Sequence, residues 1–180
     1  MGNSEDHQVA SEDGDCFEFR AADGTIYKVR PLHPGDEDAL MRLHSRLSER
    51  SIRMRFLTYV SKPPRRYLSF LTHVDGDRRF AYAVEDGDGE IVAVGRYEPV
   101  PDSSDEAEVA LLVEDAHQRK GIGWMLLHRL ADRARNKGIR RFRAVMLPEN
   151  YEMIELLQKS KFPQSMRFDA GLVVSTFPLS

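Results

Sequence analysis

The chain has 180 residues, of which 41% are apolar and 31% are charged, and this composition supports one sizeable core but not two ordinary domains. Its formal net charge of -3 argues against a nucleic-acid partner, which usually requires a basic surface. Cys16 is the only cysteine, which excludes an internal disulfide and a thiolate zinc cluster and favours a reducing compartment.

The N-terminal residues 1–15 are polar and acidic, with too few apolar side chains to offset the entropy of ordering. We therefore predict a disordered tail at residues 1–15 and a single domain over residues 16–180. The sequence has neither the apolar segment of a secretion signal nor a run of about 20 apolar residues that could span a bilayer. These features predict a cytoplasmic protein without a membrane partner.

The first half of the chain is predicted to form a hairpin followed by three helices. Apolar residues on both sides of an Asp-Gly turn at residues 23–24 predict two strands, the second ending at Pro31. From Pro34, an acidic first turn and leucines at helical spacing predict an amphipathic helix. A second helix is expected through residues 52–57, and a third after the prolines at 63–64.

The second half of the chain is predicted to be a sheet interrupted by helices. Strand-like runs at residues 80–84 and 91–97 flank Asp-Gly turn signals and predict an antiparallel hairpin. The next run, residues 107–113, predicts a strand at the centre of the sheet that is buried on both faces at its end. The later predicted elements are a helix at 121–137, a strand at 142–147, a helix at 150–160 and a strand over 168–177.

The strand, loop and helix at residues 109–123 carry the clearest functional signal. Gly121 and Gly123 allow the backbone to approach a ligand closely, and the free N–H groups at a helix N-terminus favour phosphate. Arg119 and Lys120 add positive charge. The segment fits neither a Walker loop nor a dinucleotide fingerprint. Taken alone, it is equally compatible with a glycine-rich loop whose basic residues are solvated.

Gln118-Arg-Lys-Gly-Ile-Gly123 resembles the Gln/Arg-x-x-Gly-x-Gly/Ala signature of the GNAT acetyltransferases. The resemblance extends from Ile26 to about Phe168, and it implies an α/β fold with a twisted, mainly antiparallel mixed sheet flanked by helices. It also implies acetyl-CoA as cosubstrate, with its pyrophosphate on the loop and its pantetheine arm in a splayed gap beside the central strand. The implied cofactor-binding residues are Leu111, Leu112, Val113, Gln118, Arg119, Lys120, Gly121, Ile122, Gly123, Trp124 and Asn150.

Two of those residues have structural alternatives, because Trp124 could instead serve in packing and Asn150 could cap the helix that follows it. No metal is predicted, since the histidines lack the spacing of metal ligands. A basic set of side chains could either line an acceptor cleft or form a solvated helix face. These are Arg46, Arg50, Arg53 and Arg55.

Three segments, at residues 47–56, 107–110 and 147–150, resemble the GNAT domain of bacterial protein lysine acetyltransferases more closely. This resemblance implies acetyl transfer to a protein lysine. Direct attack in a ternary complex is expected, because Cys16 lies far from the motif in the sequence and offers no evident covalent relay. The alternatives are a small-molecule amine acetyltransferase and a catalytically weak acyl-CoA-binding regulatory module. We expect no direct control by a fused nucleotide-binding domain, and a homodimer is left open.

Glu108 is the candidate general base, because an amine with a pKa of about 10.4 is almost fully protonated at pH 7. Glu108 resembles the glutamate proposed as base in the protein acetyltransferase group, and Glu106 on the same strand face is the alternative. Both acids could also lie exposed at a strand edge. Leu157 stands where many GNAT enzymes have a tyrosine general acid, and Lys161 replaces the usual glycine before Phe162. Water is left as the proton donor to the departing thiolate.

Overall fold

The structure is a computed structural model, and it describes residues 14–179. Most of the predicted tail, residues 1–13, lies outside the described residues. Asp15, the last residue of that predicted tail, accepts hydrogen bonds from Tyr82 Oη at 3.1 Å and from Arg133. No helix within residues 14–179 has the length and apolar content that crossing a bilayer requires.

The described chain forms one eight-stranded sheet with helices on both faces. The strand order is β1-β2-β3-β4-β5-β6-β8-β7, and within the described residues β5 with β6 is the one parallel pair. The predicted α/β class with a mainly antiparallel mixed sheet is confirmed. The strands are β1 (Phe17–Arg20), β2 (Ile26–Pro31), β3 (Phe80–Glu85), β4 (Ile91–Pro99), β5 (Glu106–Val113), β6 (Arg141–Met146), β7 (Ser165–Asp169) and β8 (Leu172–Pro178). The helices are α1 (Glu37–Arg46), α2 (Glu49–Phe56), α3 (Arg65–Thr72), α4 (Ile122–Asn136) and α5 (Tyr151–Lys159).

Local sequence signals explain where the helices near the site begin and end. The Ser48 side chain caps α2 by accepting a hydrogen bond from Ser51 N–H, and α2 stops at Leu57, whose φ is +63°. The second helix therefore begins earlier than the predicted residue 52 and ends one residue before the predicted residue 57. Helix α4 is capped by Gly121 and ends before Gly138, which takes the left-handed conformation that its stop signal predicted.

The core consists of two layers, one on each face of the sheet. The larger layer packs α4 against the sheet, and Leu126, Leu127 and Leu130 are fully buried in it. The smaller layer lies between the sheet and helices α1 to α3. A Cβ at Gly95 of β4 would come within 3.0 Å of Leu130 Cδ1. Glycine at this position therefore lets α4, which begins at the signature loop, lie close against the sheet.

Two predictions about strands are corrected by the structure. The run at residues 168–177 is a hairpin rather than one strand, because the chain turns at Ala170 and Gly171, both with positive φ. The end of β5 is not buried on both faces. Its residues 111–113 are half-buried, because β6 separates from β5 there and leaves a cleft.

Candidate active site

The cleft arises where the parallel strands β5 and β6 separate. Strand β5 pairs with β6 over only three rungs, residues 106–108 with residues 141–143. Beyond Glu108 the two strands diverge, while β4 stays paired with β5 to Val113 and β8 stays paired with β6 to Met146. The resulting cleft has a volume of about 650 Å³ and is also lined by α2, α5 and the loop before α4. This volume lies within the usual range of ligand sites.

The loop at one end of the cleft presents free backbone donors. Gly121, with φ of +87°, caps α4 without a side-chain hydrogen bond, and Arg119 has φ of +60°. Within residues 14–179, the N–H groups of residues 119–121 have no acceptor. They lie at the positive end of the 15-residue helix α4. This arrangement favours an anion such as a phosphate group.

Side chains from the start of α2 hold this loop in place. The Asp115 carboxylate accepts hydrogen bonds from Ser48 N–H at 3.1 Å, Ser48 Oγ at 2.6 Å and Ser51 Oγ at 2.9 Å. Burial opposes ionisation of Asp115, but these hydrogen bonds outweigh it and lower its pKa. Gln118 Nε2 donates to Val113 O at 3.1 Å and to Ser51 Oγ at 3.3 Å. This anchoring role was not predicted from the sequence, in which the two serines within residues 47–56 were the available signal.

Every predicted cofactor-binding residue except Lys120 lines the cleft. Lys120 Nζ instead lies 2.9 Å from Asp23 Oδ2 on the turn between β1 and β2. This contact raises the pKa of Lys120 and lowers the pKa of Asp23. The Lys120 ammonium therefore faces the turn between β1 and β2 in this structure, and its contribution to phosphate binding stays a prediction.

The structure gives Asn150 and Trp124 structural contacts as well as places in the cleft wall. Asn150 Oδ1 accepts a hydrogen bond from Met153 N–H at 3.1 Å and so caps α5. The Trp124 ring is 47% exposed and stacks on His128 with 3.8 Å between ring centroids. Leu157 is fully buried in the core, away from the cleft. The position that often carries a tyrosine therefore does not face this site.

The two candidate general bases differ in their surroundings. Glu108 lines the cleft, its side chain is 46% exposed, and its Oε2 lies 3.6 Å from Arg143 Nε. Glu106 lies within the paired part of β5, does not line the cleft, and has Oε2 3.6 Å from Arg141 Nε. Cys16 does not line the cleft either. Within residues 14–179 no group of three His, Cys, Asp or Glu side chains is arranged to hold a metal ion.

The arginines of the predicted basic face have different roles. Arg46 of α1 lies 3.1 Å from Glu114. On α2, Arg50 pairs with Glu152 at 2.8 Å and Arg53 pairs with Glu149 at 2.6 Å, which ties the α2 wall of the cleft to the α5 side. Of the four arginines, Arg50 and Arg55 line the cleft.

Two known acetyltransferases are similar to this chain in sequence. Acetyltransferase Pat of Mycolicibacterium smegmatis is 31% identical over 137 residues, which are 76% of this chain and 41% of that protein. This chain thus spans less than half the length of that relative. Acetyltransferase PA5475 of Pseudomonas aeruginosa is 27% identical over 150 residues, 82% of this chain and 80% of that protein.

Among solved structures, the GNAT domain of S. lividans PAT superposes with a TM-score of 0.86 at 32% identity, covering 93% of this chain and 99% of that domain. The sequence pattern of the Acetyltransferase (GNAT) family matches residues 45–162. That range contains β5, β6, the loop before α4, and the cleft that they form. Because this match covers most of the chain and the whole site, the chain belongs to the GNAT acetyltransferase family.

Proposed function

We propose that this protein transfers an acetyl group from acetyl-CoA to a lysine side chain of a protein, by direct attack in a ternary complex within one domain over residues 16–180. The observation that carries the proposal is a single cleft that joins the loop of free backbone donors to Glu108. Between Val113 and Glu108, β5 extends over roughly 17 Å, at about 3.3 Å per residue. This distance suits an extended pantetheine arm.

The chain offers suitable groups along the length of such a ligand. The N–H groups of residues 119–123 would hold the pyrophosphate at the N-terminus of α4. Beyond Glu108, the side of β5 that faces β6 has no partner strand within the described residues. Its backbone N–H and C=O groups can therefore pair with the amides of the pantetheine arm. The side chains of Leu111 to Val113 and of Trp124 form the walls.

Glu108 would act at the other end of the cleft. Acetyl-CoA supplies the acetyl group as an activated thioester. The Glu108 carboxylate takes a proton from the acceptor ammonium, so that the nitrogen lone pair can form the new C–N bond while the C–S bond breaks. As the C–S bond breaks, the nitrogen loses its second proton and water relays a proton to the departing thiolate, since α5 places no tyrosine in the described part of the cleft. Arg143 Nε lies 3.6 Å from the Glu108 carboxylate at the point where the strands separate.

Two observations support a protein lysine as the acceptor. Residues 47–56, 107–110 and 147–150 resemble protein lysine acetyltransferases, and the similarity to Acetyltransferase Pat is spread over 76% of the chain. In addition, the Glu108 side chain is 46% exposed. A lysine that projects from the surface of a large partner can therefore reach it without entering a closed pocket.

The test is release of CoA from acetyl-CoA with a panel of acceptors: lysine peptides and folded proteins, polyamines, and free amino acids. We expect the highest kcat/KM for lysine in peptides or proteins, with acetyl-lysine identified by mass spectrometry. Faster turnover of a polyamine or an amino acid would replace the protein acceptor with a small amine. Tight binding of acetyl-CoA without turnover of any acceptor would instead indicate a binding module.

A further inference from the structure

Arg55, near the C-terminal end of α2, is a half-buried cation with no ion-pair partner among residues 14–179. Its side chain lines the cleft and also a smaller cavity of about 40 Å³ under helices α1 to α3. Within residues 14–179 it makes no hydrogen bond and no ion pair, and its guanidinium carbon lies 5.2 Å from the centroid of the Phe56 ring. Burial lowers the pKa of Arg55, because loss of water destabilises the charged form.

The carboxylates near this guanidinium are already engaged. Glu98 accepts a hydrogen bond from Arg79 Nε at 2.8 Å and another from Arg96. Glu108 faces Arg143 at 3.6 Å. Both carboxylates are close enough to favour the charge of the unpaired guanidinium. The guanidinium of Arg55 therefore adds a positive charge that these two carboxylates, each of which already faces another arginine, do not neutralise.

Tyr67 supplies a second free donor beside this excess charge. It projects from α3 into the same cleft and the same small cavity as Arg55. Its hydroxyl makes no hydrogen bond to any residue between 14 and 179. A guanidinium and a phenol hydroxyl can both donate hydrogen bonds to a carboxylate. Hydrogen bonds that involve a charged group are about twice as strong as those between neutral groups.

We propose that Arg55 and Tyr67 bind a carboxylate that the acceptor carries next to the amine to be acetylated. This inference rests on the proposed function and narrows its substrate class to a lysine with an acidic neighbour. Glu108 receives the ammonium, while the guanidinium holds the carboxylate on the same acceptor. The site thereby selects acceptors by a pair of opposite charges rather than by the amine alone. A free amino acid, through its own carboxylate, offers the same chemistry.

The experiment compares kcat/KM for three peptides that differ only beside the target lysine, which is followed by Glu, Gln or Lys. We expect the parent protein to prefer the Glu peptide over the Gln peptide by about 10- to 100-fold, the scale of one hydrogen bond to a charged group. Arg55→Gln should abolish the preference, and Arg55→Glu should shift it towards the Lys peptide. Arg53→Gln is the matched control on the same helix, and it should keep the preference of the parent.

A second pair of acceptors identifies the source of the carboxylate. Nα-acetyl-lysine has a free carboxylate, and its amide does not. A preference confined to this pair supports the carboxylate subsite and assigns it to free amino acids, whereas a preference confined to the peptides assigns it to proteins. Arg55→Lys keeps the charge without the fork and should keep part of the preference, which distinguishes lost recognition from lost folding.

Three results would overturn the inference. The first is an equal kcat/KM for acidic and neutral acceptors in the parent protein. The second is a preference for the acidic acceptor that survives Arg55→Gln. The third is a loss of acetyl-CoA affinity in Arg55→Gln that accounts for the whole decrease in kcat/KM with the Glu peptide. Failure of the proposed function has different signatures, namely no turnover of any acceptor, or faster turnover of a small amine than of lysine in peptides and proteins. Where no acceptor turns over, calorimetric binding of the Glu and Gln peptides to the CoA-bound protein gives the same comparison.

Discussion

Glu108 and Arg143 form the last parallel rung between β5 and β6, with Glu108 Oε2 3.6 Å from Arg143 Nε. Strand parity places the side chain of Glu106 on the same face, but two residues earlier and within the paired region. The register of the sheet therefore decides which of the two acids reaches the cleft. The point at which the strands separate is also the point at which a carboxylate is available to an acceptor.

Glu108→Gln tests the proposed general base, because it keeps the shape of the side chain and removes its basicity. We expect turnover at pH 7 to fall by about 10² to 10⁴, with acetyl-CoA affinity unchanged. The loss should shrink at high pH, where the amine is deprotonated by solvent. Steady-state kinetics between pH 7 and about pH 10, the range up to the amine pKa, measure both effects.

Glu106→Gln is the matched control for this experiment, since Glu106 lies on the same strand but outside the cleft wall. It should keep the turnover of the parent. A large loss in Glu106→Gln with a small loss in Glu108→Gln would transfer the role to Glu106. An equal loss at every pH in Glu108→Gln would indicate that the carboxylate positions the acceptor and does not accept its proton.

Gly123→Ala is the control for the glycines of the loop. A Cβ at Gly123 would make only an ordinary contact of 3.5 Å with Leu156 Cδ2, and alanine is the better helix former by about 1 kcal/mol. We expect unchanged or increased stability by urea unfolding and unchanged acetyl-CoA affinity by calorimetry, because the family signature accepts alanine as well as glycine at this position. A tenfold loss of affinity would show that the ligand approaches the backbone of residue 123 more closely than the signature implies.

Gly121→Ala is expected to lose stability as well as affinity. Its φ of +87° is one that side chains rarely adopt, and the cost is about 1–2 kcal/mol. Urea unfolding of the two glycine variants, side by side, measures the difference. Equal stability in both variants would mean that the conformation of Gly121 in the isolated protein differs from the one described.

Asp36→Asn should destabilise the protein in a pH-dependent way. Burial opposes ionisation of the Asp36 carboxyl, but two 2.9 Å hydrogen bonds from Arg30 and another from His33 N–H outweigh it and lower its pKa. A lowered pKa contributes stability that is complete above the unfolded value of about 3.9 and is lost as the pH falls through the folded value.

We therefore expect Asp36→Asn to cost about 3 kcal/mol at pH 7, the scale for breaking a buried ion pair, with a gap to the parent that narrows below about pH 4. Urea unfolding at pH 7, 5 and 3 checks this. Asp38→Asn is the matched control, because its pair with Arg65 is exposed on both sides, and its effect should stay within about 1 kcal/mol. A constant gap for Asp36→Asn over this range would refute the linkage.

Lys161→Gly should stabilise the turn after α5. Lys161 has φ of +66°, which costs a non-glycine residue about 1–2 kcal/mol, whereas glycine loses about 0.5–1 kcal/mol through its greater freedom in the unfolded chain. The net gain of at most about 1.5 kcal/mol corresponds to a rise in Tm of at most about 6 °C. Lys159→Gly, inside α5, should lower Tm instead. A lower Tm for Lys161→Gly would show that its side chain stabilises the turn.

The sequence was sufficient for features that depend on local periodicity or on a motif. The leucines of α4 and the glycines at 121 and 138 define a helix and its ends without tertiary information. The hairpin of β7 and β8 was missed because its turn at residues 170–171 is only two residues long. Alternation of apolar residues continues across such a turn, and only the pairing partners reveal it.

The contacts within the site could likewise not be predicted from local sequence patterns. The motif placed residues 118–123 at the cleft, but the contact between Ser48 and Asp115 joins residues that are 67 positions apart. The engagement of Lys120 by Asp23 and the isolation of Arg55 are likewise properties of the assembled fold. Residue types alone indicate that these groups are charged, whereas their partners depend on how distant elements pack.

The two ion pairs between α2 and the α5 side also determine how readily the cleft can widen. Arg50 with Glu152 and Arg53 with Glu149 are half-exposed pairs, and each contributes at most about 1 kcal/mol. Loss of the two ion pairs would cost at most about 2 kcal/mol, which by itself corresponds to an opened population of at least about 3% at room temperature. Entry and exit of a ligand as long as acetyl-CoA would therefore need only a thermally accessible separation of the two walls.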